Sequence, residues 1–369
     1  MLTIYKRGGR ISKKRAPYSA ACASSNAGMI GNTIVDIWSA EGVRPVLKYE
    51  DDIAIIRCPD PKGQHVEGVY RYKYNRDDAL HIIAPLKVPW HPEKGTTSFS
   101  PHLLFIGLSW DLETRQVSLP DNKHLKFLAQ VDSFVGQFSR GRCALNNVQK
   151  LRGSLCYISF VYTDGRSRLP SLSNFMARFK GNEYTCLYPP PSLITDLKWW
   201  SARLTTTGVF CQLSPRGPLL NMGIFVDAST SWGIGIVIDG QWIGFQLAPC
   251  WKVPSRDITW LETIAVEILA YFLDSLNVNN RNVLIHSNNQ GTIGAMDKGR
   301  SPNVHINLSV RWTYATLSAI LAVPTFVYIP SADNPADPIS HGETGPPSSR
   351  LHTAFMLPPE LQDIFINAC

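Results

Sequence analysis

An aspartate inside an apolar strand constrains this 369-residue chain more than any other feature. The run GIFVDAST places Asp227 between apolar neighbours, where an unpaired acid is costly to bury. WGIGIVI and WIGFQLA follow, two more strand-like runs joined by a turn at Asp239–Gly240. DITWLETIAVEILAYFLDSL then reads as a helix, with Ile258, Leu261, Ala265, Ile268 and Phe272 on its buried side. NVLIHSNNQG gives a fourth strand entering a turn and helix, PTFVYIP a fifth strand, and SADNPADPIS a capped turn. The order βββαβαβ-α predicts a mixed five-stranded sheet with flanking helices over residues 221–342. The remaining length has room for one or two further units, so the expected class is α+β or α/β and multidomain.

Three acids of this segment are candidates for one site. Asp227 is the first. Glu262 borders the buried stripe of the long helix, whereas Glu267 lies roughly 140° away by the 3.6-residue period. The two cannot share a site, and Glu262 is preferred. Asp337, in NPADP, either caps the last helix or binds metal. Asp227, Glu262 and Asp337 are what a two-metal phosphodiester hydrolase would use, with Mg²⁺ or Mn²⁺ as the cation. Such a site expects a fourth acid at the end of the fourth strand, where the chain reads His286-Ser287-Asn288-Asn289.

A second acidic stretch, KYEDDIAIIR, puts Asp51 and Asp52 at the tip of a predicted β-hairpin, with Tyr49 just before. It is either a solvated turn or a hard-cation site suited to Mg²⁺ and phosphate oxygens. Ahead of it a small-residue turn leads into a helix with Met29, Ile30, Ile34 and Trp38 on one face. HLLFIGLSWDLETRQVSLP, residues 102–120, reads as a hairpin with its turn near Glu113 and Thr114. LKFLAQVDSFVGQF places Leu125, Leu128, Val131, Phe134 and Val135 near one helical face. Residues 206–220 read as a linker and 343–369 as a tail.

The net charge of +7 comes mostly from residues 1–20, which hold six Lys/Arg and no acid. That basic tail, assigned to 1–21, suits nucleic acid, a nuclear address or, being acid-free through Val35, organelle import. Within the body, eight Lys/Arg face a single acid, Asp164, between Arg140 and Lys180. This is either a solvated helical face or a surface that tracks phosphates, carried by Arg140, Arg142, Lys150, Arg152, Arg166 and Arg168. No apolar run approaches the ~18 to 20 residues of a membrane span. The eight cysteines include no CxxC pair, which argues against a zinc site or a disulfide framework. The expectation is an intracellular protein of nucleus or cytoplasm, neither secreted nor membrane-bound.

VDAST, LETIAVE, HSNNQG and NPAD, in that order, resemble the ribonuclease H fold. There a strand-1 Asp, a helix Glu, a strand-4 Asp and a final Asp hold two Mg²⁺ ions, roles that fall on Asp227, Glu262, Asn288 and Asp337. Asn288 departs from the pattern: an amide offers a neutral oxygen but not the charge that holds both ions. Upstream, YEDD resembles the YxDD hairpin of reverse transcriptases, and SSNAGMIGN the template and nucleotide contact before it. Lys94 in HPEKGT and LLFIGLSWD resemble the later palm and primer grip, and the basic region 123–180 the thumb and connection. The resemblance, to retrotransposon polyproteins of the DIRS or long-terminal-repeat type, spans residues 22–342. It implies a partial palm over 22–120, a thumb or connection over 121–205 and a ribonuclease H-like domain over 221–342.

The same resemblance implies a third palm carboxylate ahead of SSNAGMIGN. Residues 1–20 offer no acid for it, so the expectation is an N-terminally truncated enzyme with no polymerase activity and weak or lost hybrid cleavage. Its expected partner is an RNA–DNA hybrid or other nucleic acid. Two alternatives stand beside it: a non-catalytic nucleic-acid-binding module, and a still-active nuclease in which Asn288 is tolerated or an acid such as Asp297 substitutes.

Overall fold

The computed structural model describes residues 2–6, 23–50, 52–60, 71–88, 90–96, 98–213, 218–352 and 355–368. Two compact units divide the chain, residues 1–124 with 208–213, and 125–207 with 214–369. Each mixes helices and sheets. No helix among the described residues is long and apolar enough to cross a membrane.

The first unit begins with β1 (Leu2–Lys6), α1 (Ala23–Ala40), β2 (Val46–Tyr49) and β3 (Asp52–Ile55). α2 (Arg76–Ile83) and β4 (Trp90–Gly95) complete a four-stranded sheet of order β2-β3-β1-β4. The buried stripe of α1 is Gly31, Ile34 and Trp38; Met29 and Ile30, expected on that face, are exposed. The end of the Lys48 side chain lies against Gly31. Residues 102–120 form three strands, β5 (His102–Phe105), β6 (Leu108–Asp111) and β7 (Gln116–Ser118), rather than one hairpin. The additional reversal is the two-residue turn Ile106-Gly107, both at positive φ (46° and 77°). A β-branched residue there is rare enough to hide the turn. The free edge of β7 is filled by Phe210–Gln212, so the expected linker contains a strand.

The second unit opens, after the first turn of α3 (Asp121–Phe138), with the rest of that helix, β8 (Cys143–Ala144), α4 (Leu145–Ile158), α5 (Leu169–Ala177), β9 (Cys186–Leu187) and α6 (Pro191–Thr205). α3 buries Phe127, Val131 and Phe134, while Leu125, expected on that face, is exposed. After β10, the Phe210–Gln212 strand, come β11 (Leu219–Ala228), β12 (Gly233–Ile238) and β13 (Gln241–Leu247). Then follow α7 (Ile258–Ser275), β14 (Asn282–Ser287), α8 (Gln290–Lys298), α9 (Val304–Ala319), β15 (Val323–Tyr328) and α10 (Asp337–Ser340). α11 (Pro359–Gln362) and β16 (Phe365–Ala368) end the described chain.

The sheet order is β15-β14-β11-β12-β13-β16, six strands where five were expected, because β16 from the presumed tail pairs with β13. β11–β14 and β14–β15 run parallel, as crossovers through helices require. β12 and β13 form a hairpin whose turn, Asp239-Gly240, has positive φ at both residues (51° and 71°). α7 is buried along nearly its whole length, from Trp260 to Leu273, although Ile258 at its start is exposed. Ile224, Val226, Ile234 and Ile236 of the sheet share its core with Leu261, Ile264, Ile268 and Phe272.

The preceding helices join this unit through buried polar contacts. Asp196 of α6 accepts Arg168 at 2.9 Å and Arg311 of α9 at 3.2 Å. The Asn307 amide, also on α9, donates to the Ser167 carbonyl at 2.6 Å.

Candidate active site

Asp227 is the penultimate residue of β11 and is only 2% exposed. Parallel pairing sets Val226 opposite Ser287, so Asn288 emerges from β14 beside it. The Asn288 amide nitrogen donates to Asp227 Oδ1 at 2.6 Å and to Ser331 Oγ at 2.8 Å. Ser340, at the end of α10, donates its hydroxyl to Asp227 Oδ2 at 2.5 Å. Asn334 donates to the Val226 carbonyl at 3.1 Å, and its own Oδ1 accepts from the Ala336 N–H, which pins the NPAD loop against β11. Glu262, in the second turn of α7 and 3% exposed, accepts from the Ala228 N–H.

The charges are close enough to perturb one another. Burial pushes the Asp227 carboxyl up, and the Asp337 charge adds to the rise. The hydrogen bonds from Ser340 and Asn288, and the proximity of His341, pull it partly back. Burial pushes Glu262 further, to about 9, with help from the charges of Asp227 and Asp337. At neutral pH Glu262 is therefore an uncharged acid. Its Oε2 is buried with no hydrogen-bond partner, as is Oδ1 of Asn288.

Close approach of α10 to the sheet depends on Gly235 of β12. A Cβ there would lie 2.8 Å from the Ser340 nitrogen and also meet the Ala336 carbonyl. Gly235→Ala should destabilise the unit by about 1–3 kcal/mol, as overpacking does. It should also shift the Asp227 environment by displacing Ser340. Denaturant melts would measure the first effect and carboxyl titration by NMR the second; an unchanged midpoint would contradict the close packing.

The four expected positions, Asp227, Glu262, Asn288 and Asp337, thus come together at one end of β11. Asp337 opens α10 without capping it; the cap residue is Ala336, with no side-chain hydrogen bond. The charge of Asp297 bears on Tyr314 and is not among those that act on Asp227 or Glu262. Glu267 is buried elsewhere on α7, accepts from the Tyr271 hydroxyl at 3.2 Å and lines a separate cleft of about 420 Å³. Ser340, Asn334, Ser331 and His341 were not foreseen; the only sequence signal is the turn-forming Asn-Pro pair.

As arranged, these residues do not fit two Mg²⁺ ions. Both oxygens of Asp227 already accept hydrogen bonds, and Asn288 presents a donor where a ligand should stand. Among the described residues, no three His, Cys, Asp or Glu side chains are grouped to hold a metal ion.

Of the second acidic stretch, Asp51 lies outside the described residues and Asp52 begins β3, paired with Tyr49 across the hairpin. The Lys94 side chain also lies outside the described residues. The basic candidates divide. Arg168 is engaged by Asp196 and by the Trp199 ring, 4.4 Å away. Arg152 donates to Ser173 Oγ at 2.9 Å and Arg166 to the Ser159 carbonyl at 3.1 Å. Arg140, Arg142 and Lys150 are exposed.

No protein-family model and no curated protein matches the chain. Among solved structures it is similar to the foamy viral protease-reverse transcriptase dRH in complex with double-stranded DNA, at 12% identity and a TM-score of 0.37, covering 82% of this chain and 49% of that one. The foamy viral protease-reverse transcriptase with an RNA/DNA hybrid gives 12% and 0.35, covering 89% and 40%. The same protein with double-stranded DNA gives 15% and 0.36, covering 89% and 67%. The chain spans less than half the length of the first two. At these identities and TM-scores the likeness fixes neither the family nor the ligand.

Proposed function

We propose that this chain is a retroelement-derived reverse transcriptase–ribonuclease H fragment that binds nucleic acid, with an RNA–DNA hybrid as the expected ligand and hybrid cleavage weak or lost. One observation carries the proposal. Strands in the order β15-β14-β11-β12-β13 bring Asp227, Glu262, Asn288 and Asp337 to a single point, the arrangement expected of a ribonuclease H-like domain over 221–342. On this reading residues 22–120 are a partial palm with Asp51 and Asp52 on its hairpin, and 121–205 a thumb or connection. A DIRS-type or long-terminal-repeat retrotransposon is the proposed origin. The amide at Asn288, which donates to Asp227 where a carboxylate would stand, leaves too little negative charge for two cations, which favours binding over hydrolysis.

A second reading, a nuclease still active with Mg²⁺ or Mn²⁺, has one observation in its favour. Glu262 Oε2 and Asn288 Oδ1 are both buried and unpaired, so two oxygens are free to accept a ligand.

Labelled RNA–DNA hybrid separates the two. Binding should weaken with a slope of log K against log salt of about −3, given that Arg140, Arg142 and Lys150 neutralise one phosphate each. Cleavage in Mg²⁺ or Mn²⁺ should be at background. An absence of binding at low salt would overturn the proposal, whereas cleavage abolished by Asp227→Asn would install the second reading.

A further inference from the structure

The two-stranded ribbon of β8 and β9 carries side chains that the centre at Asp227 does not use. Tyr184 is 96% exposed and Tyr188 56% exposed, with the exposed Cys186 midway between them. Thr185 and Leu187, the intervening residues, are partly buried; Tyr184 lies in the turn that leads into β9 and Tyr188 directly follows the strand. The ribbon is closed by the pairs Cys143–Leu187 and Ala144–Cys186, and Asn182 Oδ1 accepts from the Tyr184 N–H at 2.9 Å. Arg142, entering β8, holds its guanidinium 5.1 Å from the centre of the Tyr188 ring. Arg140 and Lys180 are exposed in the same two connections, against one acid, Glu183.

Solvent-exposed rings interleaved with cations suit a ligand that offers flat aromatic faces and phosphates together. A duplex keeps its base faces inside and has none to give. We infer that the Tyr184–Tyr188 face, with Arg142, binds single-stranded nucleic acid by stacking. The inference rests on the nucleic-acid reading above and names which form this surface takes.

The test is fluorescence anisotropy of the full chain with 20-nucleotide single-stranded DNA, single-stranded RNA, duplex DNA and RNA–DNA hybrid. The variants are Tyr184→Ala/Tyr188→Ala and Tyr184→Phe/Tyr188→Phe, with circular dichroism as the check that each is folded. The alanine pair should lose about tenfold or more on single strands. It should lose less than about twofold on the duplexes, where the phosphate contacts remain. The phenylalanine pair, which keeps the rings, should bind like the parent. The difference between the DNA and RNA arms says which strand is preferred. Single strands should also slow alkylation of Cys186 while leaving the exposed Cys250 unaffected. An equal loss on all four probes, or no loss on single strands, overturns the inference and leaves the nucleic-acid reading standing. If the parent binds none of the four, both fail.

Discussion

Asn288→Asp should make the stability of the chain depend on Mg²⁺. In the parent the Asn288 amide donates to Asp227 at 2.6 Å, so the centre is held together by its own hydrogen bonds. The substitution replaces a donor by a second carboxylate at that distance. Two such groups cannot both ionise unless a cation sits between them; without one they share a proton. In chelator, the variant should therefore lose about 1–3 kcal/mol, the cost of breaking a part-buried hydrogen-bonded contact and crowding like charges. Saturating Mg²⁺ should return about 2.7 kcal/mol at 100 times its dissociation constant. The parent should melt at the same temperature in Mg²⁺ and in chelator. The restored charge should also raise Mg²⁺-dependent cleavage of the RNA strand by on the order of 10² or more. Asp227→Asn in the same chain should abolish both gains. Thermal melts give the first readout and labelled hybrid the second. If Asn288→Asp folds, ignores Mg²⁺ and cleaves no better than the parent, the centre has diverged beyond one carboxylate and the domain is a binding remnant.

Much of this centre was legible because each residue announces itself locally. Asp227 is conspicuous as an acid among apolar strand residues, and the DG turn fixes the β12–β13 hairpin. Glu262 follows from its place on the α7 period. The groups that hold Asp227 in place were not legible. Ser340 is an ordinary hydroxyl 113 positions away, and only the descent of α10 onto Gly235 makes it a partner. β16 escaped for a similar reason: a four-residue edge strand has too little pattern to distinguish it from a tail, and its partner β13 is remote in sequence. The expected helix stripes hold at Ile34 and Trp38 and at Val131 and Phe134, and differ at Met29, Ile30 and Leu125, which are exposed. In α3 Phe127 is buried and Leu125 is not. Periodicity identifies a helix more reliably than the exact stripe that it buries.

The chain should lose stability as pH rises from mildly acidic to mildly alkaline, in two overlapping windows. Burial raises Glu267 from 4.5 to about 7 and Glu262 from 4.5 to about 9. In each case the folded state retains a proton that the unfolded chain has released, so the stabilisation is complete below the unfolded value and is lost as pH climbs through the folded one. Each such group contributes a slope of about 1.4 kcal/mol per pH unit inside its window. Both act between pH 4.5 and about 7; from there to about 9 Glu262 acts alone. Glu262→Gln should therefore flatten the upper window and be more stable than the parent at pH 8 by several kcal/mol. Glu267→Gln should reduce the slope only below about pH 7, where Glu262 still acts. Asp227, also raised by burial, adds to the fall on the acid side. Denaturant midpoints at half-unit pH steps measure all three curves. The two predictions meet at one proton. A cation drawn in by Asn288→Asp competes with the proton of Glu262, so its affinity should rise with pH up to about 9. A parent whose stability is flat between pH 7 and 9 would mean that Glu262 is already ionised, and the centre would then hold more charge than its burial allows.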